Sequence, residues 1–191
     1  MQTFSNYLRL GYEHIISIEA LDHILFVVVL MAVYEVRNWL KVVTAVTFFT
    51  IGHSITLSLG ALNAISVDKA FIEFLIPLTI LLTALFNITK RGQNQKNKSK
   101  AWIAGVFGLI HGLGFSNYYD MLVMGDTNYW QALLPFNLGL ELAQLLLVLI
   151  LLALMGVYNF LLNRKIRDWN FFISGAGFGL AFIMCLENWP F

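Results

Sequence analysis

The sequence predicts an all-α integral membrane protein, a bundle of about six transmembrane helices with both termini outside. Three observations carry that expectation: an extreme apolar composition, a succession of bilayer-length apolar segments, and a one-sided distribution of basic residues. Of the 191 residues, 59% are apolar and 12% charged, about half the charged share of a soluble domain. A chain this short cannot bury so much apolar surface in one core and keep a polar exterior. Lipid removes the need for a polar exterior.

A helix needs about 20 mostly apolar residues to cross the hydrocarbon layer. Such segments fall at about 12–34, 40–65, 68–88, 101–119, 134–162 and 169–186, in a single transmembrane domain. The first is apolar in its second half, but its first half carries Glu13, His14, Glu19, Asp22 and His23. The second has only Lys41 and His53 as ionisable side chains, and the third contains Glu73 and Pro77. The polar stretch from Lys90 to Lys100 reads as a solvated loop. The fourth segment has His111 inside it. The fifth opens near Pro135, where proline suits a first helical turn, and has Glu141 as its only charge. The sixth has no interior charge, and its Gly175 and Gly179 read as a packing face. The one cysteine, Cys185, excludes an intrachain disulfide and a CxxC site. Met1 to Leu10 lacks the apolar block of a cleavable signal, so the first helix is expected to be retained.

The basic residues orient the bundle. In a six-helix path the loops after helices one, three and five share a side, and they hold ten of the twelve Lys and Arg residues; only Arg9 and Lys69 fall opposite. The positive-inside rule puts that side in the cytoplasm.

All four histidines fall inside predicted spans, with Glu19, Asp22, Glu73 and Glu141. Each such group costs roughly 2.5–3.5 kcal/mol to insert, so it needs a reason to be there. At a rise of about 1.5 Å per residue, the set occupies one layer between the outer boundary and the midplane. Glu19, Asp22 and His23 share a helix face, as do Asn137, Glu141 and Gln144. Thr50 and Ser54 give His53 polar neighbours, and Gly105, Gly108 and Gly112 around His111 permit close helix approach. His14 lies nine residues before His23, about half a turn away around a straight helix. A distortion or an interfacial position is needed to bring the two together. Clustered imidazoles and carboxylates suit a divalent transition metal, a proton relay, or polar bonding between helices.

Four ordered segments carry a resemblance. They are Leu21-Asp22-His23-Ile24-Leu25-Phe26, the run from Phe49 through Gly52-His53-Ser54 to Leu57, the run from Phe107 through His111-Gly112 to Phe115, and the run from Phe136 through Glu141 to Gln144. Together they resemble the HupE/UreJ family of bacterial membrane proteins, in its shorter second subgroup. The resemblance implies a link to nickel and related metal transport around hydrogenase and urease. It also places Asp22, His23, His53, His111 and Glu141 on motif positions. The family usually has five residues between a histidine and the Asp-His pair, whereas seven separate His14 from Asp22 here.

The expected function is a divalent transition-metal permease of the bacterial cytoplasmic (inner) membrane, a transporter rather than an enzyme. The candidate site is His23, Asp22, His53, His111 and Glu141, with Glu19, His14 and Glu73 completing the set. The donor types admit nickel, cobalt, zinc or copper alike. Two other readings use the same residues: an intramembrane zinc-dependent hydrolase, with Asp22 or Glu141 as base, and a non-catalytic metal-binding or assembly subunit. The expected partners are the metal ion and the lipid bilayer. Among proteins, a second copy of the chain or a metalloenzyme-assembly partner fits, and no nucleic acid is expected. No Walker loop is present, so direct use of ATP is not expected.

Overall fold

The computed structural model describes residues 4–17, 20–62, 64–65, 67–90, 92–93, 99–123, 129–162 and 165–190. Among these residues the chain is all-helical: α1 (Phe4–Ile16), α2 (Leu21–Met31), α3 (Trp39–Ala61), α4 (Lys69–Ile88), α5 (Ser99–Val123), α6 (Tyr129–Leu162) and α7 (Ile166–Glu187). A 3₁₀ turn, Val36–Asn38, leads into α3. Four helical stretches are long and apolar enough to cross a membrane: Val36–Gly60, Lys69–Ile88, Gln131–Leu161 and Ile166–Glu187. The pair α1 and α2 would make a fifth if it acts as one broken span. The outward faces are apolar, with Phe160 and Phe172 among the most exposed side chains. Such a chain fits a multi-pass membrane protein.

The helix expected over 12–34 is instead two helices inclined at 68°. Local bonding supports the break. The Ser17 N–H reaches the Glu13 carbonyl at 3.0 Å and the Ala20 N–H reaches the Ser17 carbonyl at 3.1 Å, closing the end of α1. Asp22 then stands in the first turn of α2, where its carboxylate accepts from the His23 N–H at 2.9 Å. A helix start leaves N–H groups unpaired and favours negative charge, so Asp22 stabilises a new start better than a helix interior.

The second departure is in α6, which begins at Tyr129, so Pro135 lies inside the helix rather than in its first turn. Only the carbonyl four residues back loses its N–H partner to the proline ring. Ala132 and Leu133 in the added turns are buried against α1.

Close helix pairs set the architecture. α3 runs against α5 through glycines: a methyl group on Gly108 would strike the Phe49 carbonyl oxygen, one on Gly112 the His53 carbonyl oxygen, and one on Gly52 the Gly105 carbonyl oxygen. α1 lies along α6 in the same way, with Gly11 against the Phe136 carbonyl and Gly139 against the Leu8 carbonyl. α4 lies along α7, and a buried polar knot joins both to α2. Asn87 Nδ2 donates to the Val29 carbonyl at 2.7 Å, Asn170 Nδ2 donates to the Asn87 carbonyl at 2.8 Å, and the Ser174 hydroxyl donates to Asn170 Oδ1 at 2.9 Å. α7 does pack, but nothing lies within 4 Å of the Cβ positions at Gly175 and Gly179; Gly177 is the close contact, against Val29. In α7 the small residue that matters faces inward between the two that share the familiar spacing.

Candidate metal centre

The three helix pairs converge on the histidines. His53 and His111 face each other's neighbourhood because the glycine seam holds α3 and α5 together. The break after α1 turns His14 toward His23, which a straight helix would place on the opposite side. The His14 and His23 ring centroids are 4.9 Å apart, His23 and His111 5.3 Å, His23 and His53 6.0 Å, and His14 and His53 6.2 Å. Donor atoms of His14, His23 and His53 all lie within 4.8 Å of one another. Metal–nitrogen bonds of about 2.1 Å in a tetrahedral site put donors about 3.4 Å apart. Small side-chain rotations inward would close that gap.

The hydrogen-bond inventory tests whether these residues suit a metal. His23 Nδ1 lies 3.0 Å from Asp22 Oδ1, and His111 Nδ1 lies 2.8 Å from the Phe107 carbonyl oxygen. In each, an acceptor holds the proton on Nδ1 and leaves the Nε2 lone pair free, the arrangement by which an outer carboxylate or carbonyl orients a ligand imidazole. Nε2 of His14, His23 and His111 and both ring nitrogens of His53 are buried with no hydrogen-bond partner among the described residues. An unmade buried hydrogen bond costs roughly 1–3 kcal/mol. Free nitrogens of His14, His23 and His53 in one spot, with the His111 ring beside His23, form a donor set that a borderline-soft divalent cation fits.

Aromatic rings enclose the cluster. Phe115 sits 3.8 Å from the His14 ring and stacks on Phe136. Toward the basic ends of the helices, Phe26 and Phe49 stack at 4.7 Å, and Phe107 approaches Phe26 at 6.3 Å. Phe49 and Phe26 lie 5.0 and 5.5 Å from the His111 ring. The histidines thus rest on a phenylalanine floor. On the other side a cavity of about 960 Å³ opens, with His14, Asp22, His23 and His111 on its wall and Glu13, Glu73 and Glu187 also lining it.

Of the other expected site residues, Glu73 is on the cavity wall and Glu141 is not. Glu141 lies in the seam between α3 and α6, where the Thr47 and Thr50 hydroxyls donate to its two oxygens at 2.6 and 2.5 Å. Asn137, on the same face, accepts from the Ser54 hydroxyl at 2.6 Å. The polar neighbours foreseen for His53 thus bind α6, and His53 itself turns to the other histidines. Glu73 pairs with Lys69 at 3.4 Å and is about half exposed. Glu19 lies outside the described residues. Sequence reasoning passed over two cavity carboxylates. Glu13 adjoins His14 and pairs with Arg9 at 2.7 Å, and Glu187 closes α7. Their common signal was position at the same end of the bundle as His14.

No curated protein and no solved structure matches the chain. A protein family does: the one described as HupE / UreJ protein matches residues 1–187. That family is associated with nickel and metal handling, in keeping with three histidines placed to hold a metal ion. The match runs through all seven helices, and the chain therefore belongs to the HupE/UreJ family.

Proposed function

We propose that this chain is a divalent transition-metal permease of the bacterial cytoplasmic membrane, with a nickel-like ion as cargo. The observation that carries the reading is the convergence of unpartnered imidazole nitrogens from α1, α2, α3 and α5 beside a carboxylate-lined cavity. Six spans and external termini complete it: α1 and α2 act as one broken span, and α5, with 25 residues, adds a sixth. The basic loops then face the cytoplasm, and the cavity faces outward.

On this reading a cation enters past Glu13, Glu73 and Glu187, whose charge raises its local concentration. It exchanges water for His14, His23 and His53, with His111 next to them and Asp22 oriented behind His23. Phe26, Phe49 and Phe107 block the way onward, so passage requires the floor to part. The test is metal uptake by cells that lack their own importer, with His23→Ala at matched protein levels. Loss of uptake supports the permease, and unchanged uptake rules this assignment out.

One observation favours a second reading, an intramembrane zinc-dependent hydrolase. The phenylalanine floor makes the site a dead end from the cavity, and an enzyme needs one entrance only. A resident ion would then supply Lewis-acid chemistry, Asp22 would orient His23, and the remaining cavity would take substrate. Metal retained through extensive washing, without uptake, would favour the enzyme.

A further inference from the structure

A second groove lies at the basic end of the bundle, away from the histidines. It has a volume of about 490 Å³ and is bounded by Leu30 of α2, Leu82 and Phe86 of α4, and Trp102, Ile103 and Val106 of α5. Its outer rim faces the surroundings: Trp102 is 69% exposed and Val106 54%. The walls are mostly apolar, with Thr83, Asn87 and Ser99 also lining them, and Lys100 is the charged residue of the lining.

Lys100 is unusual. The residue is only 5% exposed, and its ammonium has no hydrogen-bond partner among the described residues. It lies 4.9 Å from the centroid of the Tyr34 ring, a weak cation–π contact. The charged group that acts on it is Lys41, of the same sign. A buried ammonium without a counter-charge is costly. The start of α5 adds further positive potential from its free N–H groups. The groove thus presents a cation, unpaired among the described residues, in a largely apolar channel open along its side.

We propose that this groove binds an anionic phospholipid, with one acyl chain between α4 and α5 and the phosphate at Lys100. An ammonium offers three donors to a phosphate oxygen set. Basic pockets between helices on the cytoplasmic side are where anionic head groups bind. A zwitterionic lipid carries its own ammonium and offsets the attraction, so net charge selects the lipid. This assignment is independent of the histidine cluster.

The test is native mass spectrometry of the full chain, released from micelles holding equal phosphatidylglycerol and phosphatidylethanolamine. The expected result is phosphatidylglycerol bound in preference by about fivefold, the factor one lysine–lipid charge contact supplies. Lys100→Gln should abolish the preference, whereas Arg167→Gln, at the start of α7, should keep it. Ile103→Trp, which fills the groove from its exposed side, should reduce retention of both lipids and covers the case in which Lys100→Gln does not fold. No preference in the wild type, or an equal preference in Lys100→Gln, overturns the proposal. So does full retention in Ile103→Trp. Displacement by oleate with no binding of phosphatidylglycerol would identify a fatty acid as occupant and overturn it as well.

Discussion

Asp22 offers a way to weigh orientation against ligation at the histidine cluster. One of its oxygens, Oδ1, accepts from the His23 backbone N–H at 2.9 Å and from His23 Nδ1 at 3.0 Å. The carboxylate therefore fixes both the start of α2 and the tautomer that leaves Nε2 free. Loss of such an outer partner usually weakens metal binding by about 10–100-fold, or about 1.4–2.7 kcal/mol. Asp22→Asn keeps an oxygen in place and loses only the charge, so it belongs near the lower figure. Asp22→Ala leaves two His23 donors unpaired and frees the tautomer, so it belongs near the upper one. His23→Ala removes a donor outright and should weaken binding further still. The assay is competition with a chromophoric chelator for nickel and zinc, using purified protein in detergent, with helicity checked by circular dichroism. An Asp22→Ala protein that folds and binds within about twofold of the wild type would refute the reasoning. So would an Asn variant weaker than the Ala variant.

Four further outcomes are expected. Gly108→Leu or Gly112→Leu should separate α3 from α5, because the new side chain meets a carbonyl oxygen of α3; overpacking costs about 1–3 kcal/mol, read as a lower thermal midpoint together with lost metal retention. Glu141→Gln should lower that midpoint but leave the number of bound ions unchanged, since Glu141 is engaged by Thr47 and Thr50; a lost ion in elemental mass spectrometry would place it in the ligand set. Acid should release the ion, because protons compete for the imidazole nitrogens; equilibrium dialysis at stepwise lower pH reads the release, and an ion retained until the chain itself unfolds in acid would exclude histidine ligation. Phe49→Ala should cost about 3–5 kcal/mol from the lost ring and raise metal flux into liposomes if the floor is the barrier; unchanged flux would locate the barrier elsewhere.

The sequence was most informative where one physical rule dominated. Apolar runs marked every helix from α3 to α7, and four of these are long and apolar enough to cross a membrane. The glycines around His111 foretold a close neighbour, and the seam with α3 is that contact. The break between α1 and α2 was less legible. Its trace was the polar crowding from His14 to Asp22, which fits a hydrated helix end as well as a site. Distance in the chain also misled at Glu141. Its depth matched that of the histidines, but which residues of α3 face α6 is decided by packing angles, and those put Thr47 and Thr50 opposite it. Glu187 and the phenylalanine floor were invisible for a related reason. Each is ordinary in its own helix and acquires meaning only across helices.

The origin of the four histidines has a mechanical consequence. His14 rides on α1, which is fastened to α6; His53 and His111 ride on the fused pair of α3 and α5; His23 rides on α2, which is tied through Val29 and Asn87 to α4 and α7. An ion held by all of them would be a reversible rivet through three blocks, two of which Glu141 already joins through Thr47 and Thr50. At a ligand concentration a hundred times its dissociation constant, binding adds about 2.7 kcal/mol in favour of the conformation that binds. That energy would add to the contacts that hold the blocks in register, and losing the ion would loosen them at their shared centre. Occupancy would then set the posture of the whole bundle, and the floor of rings drawn from α2, α3 and α5 would feel it first, since it is built from two of the blocks the rivet joins.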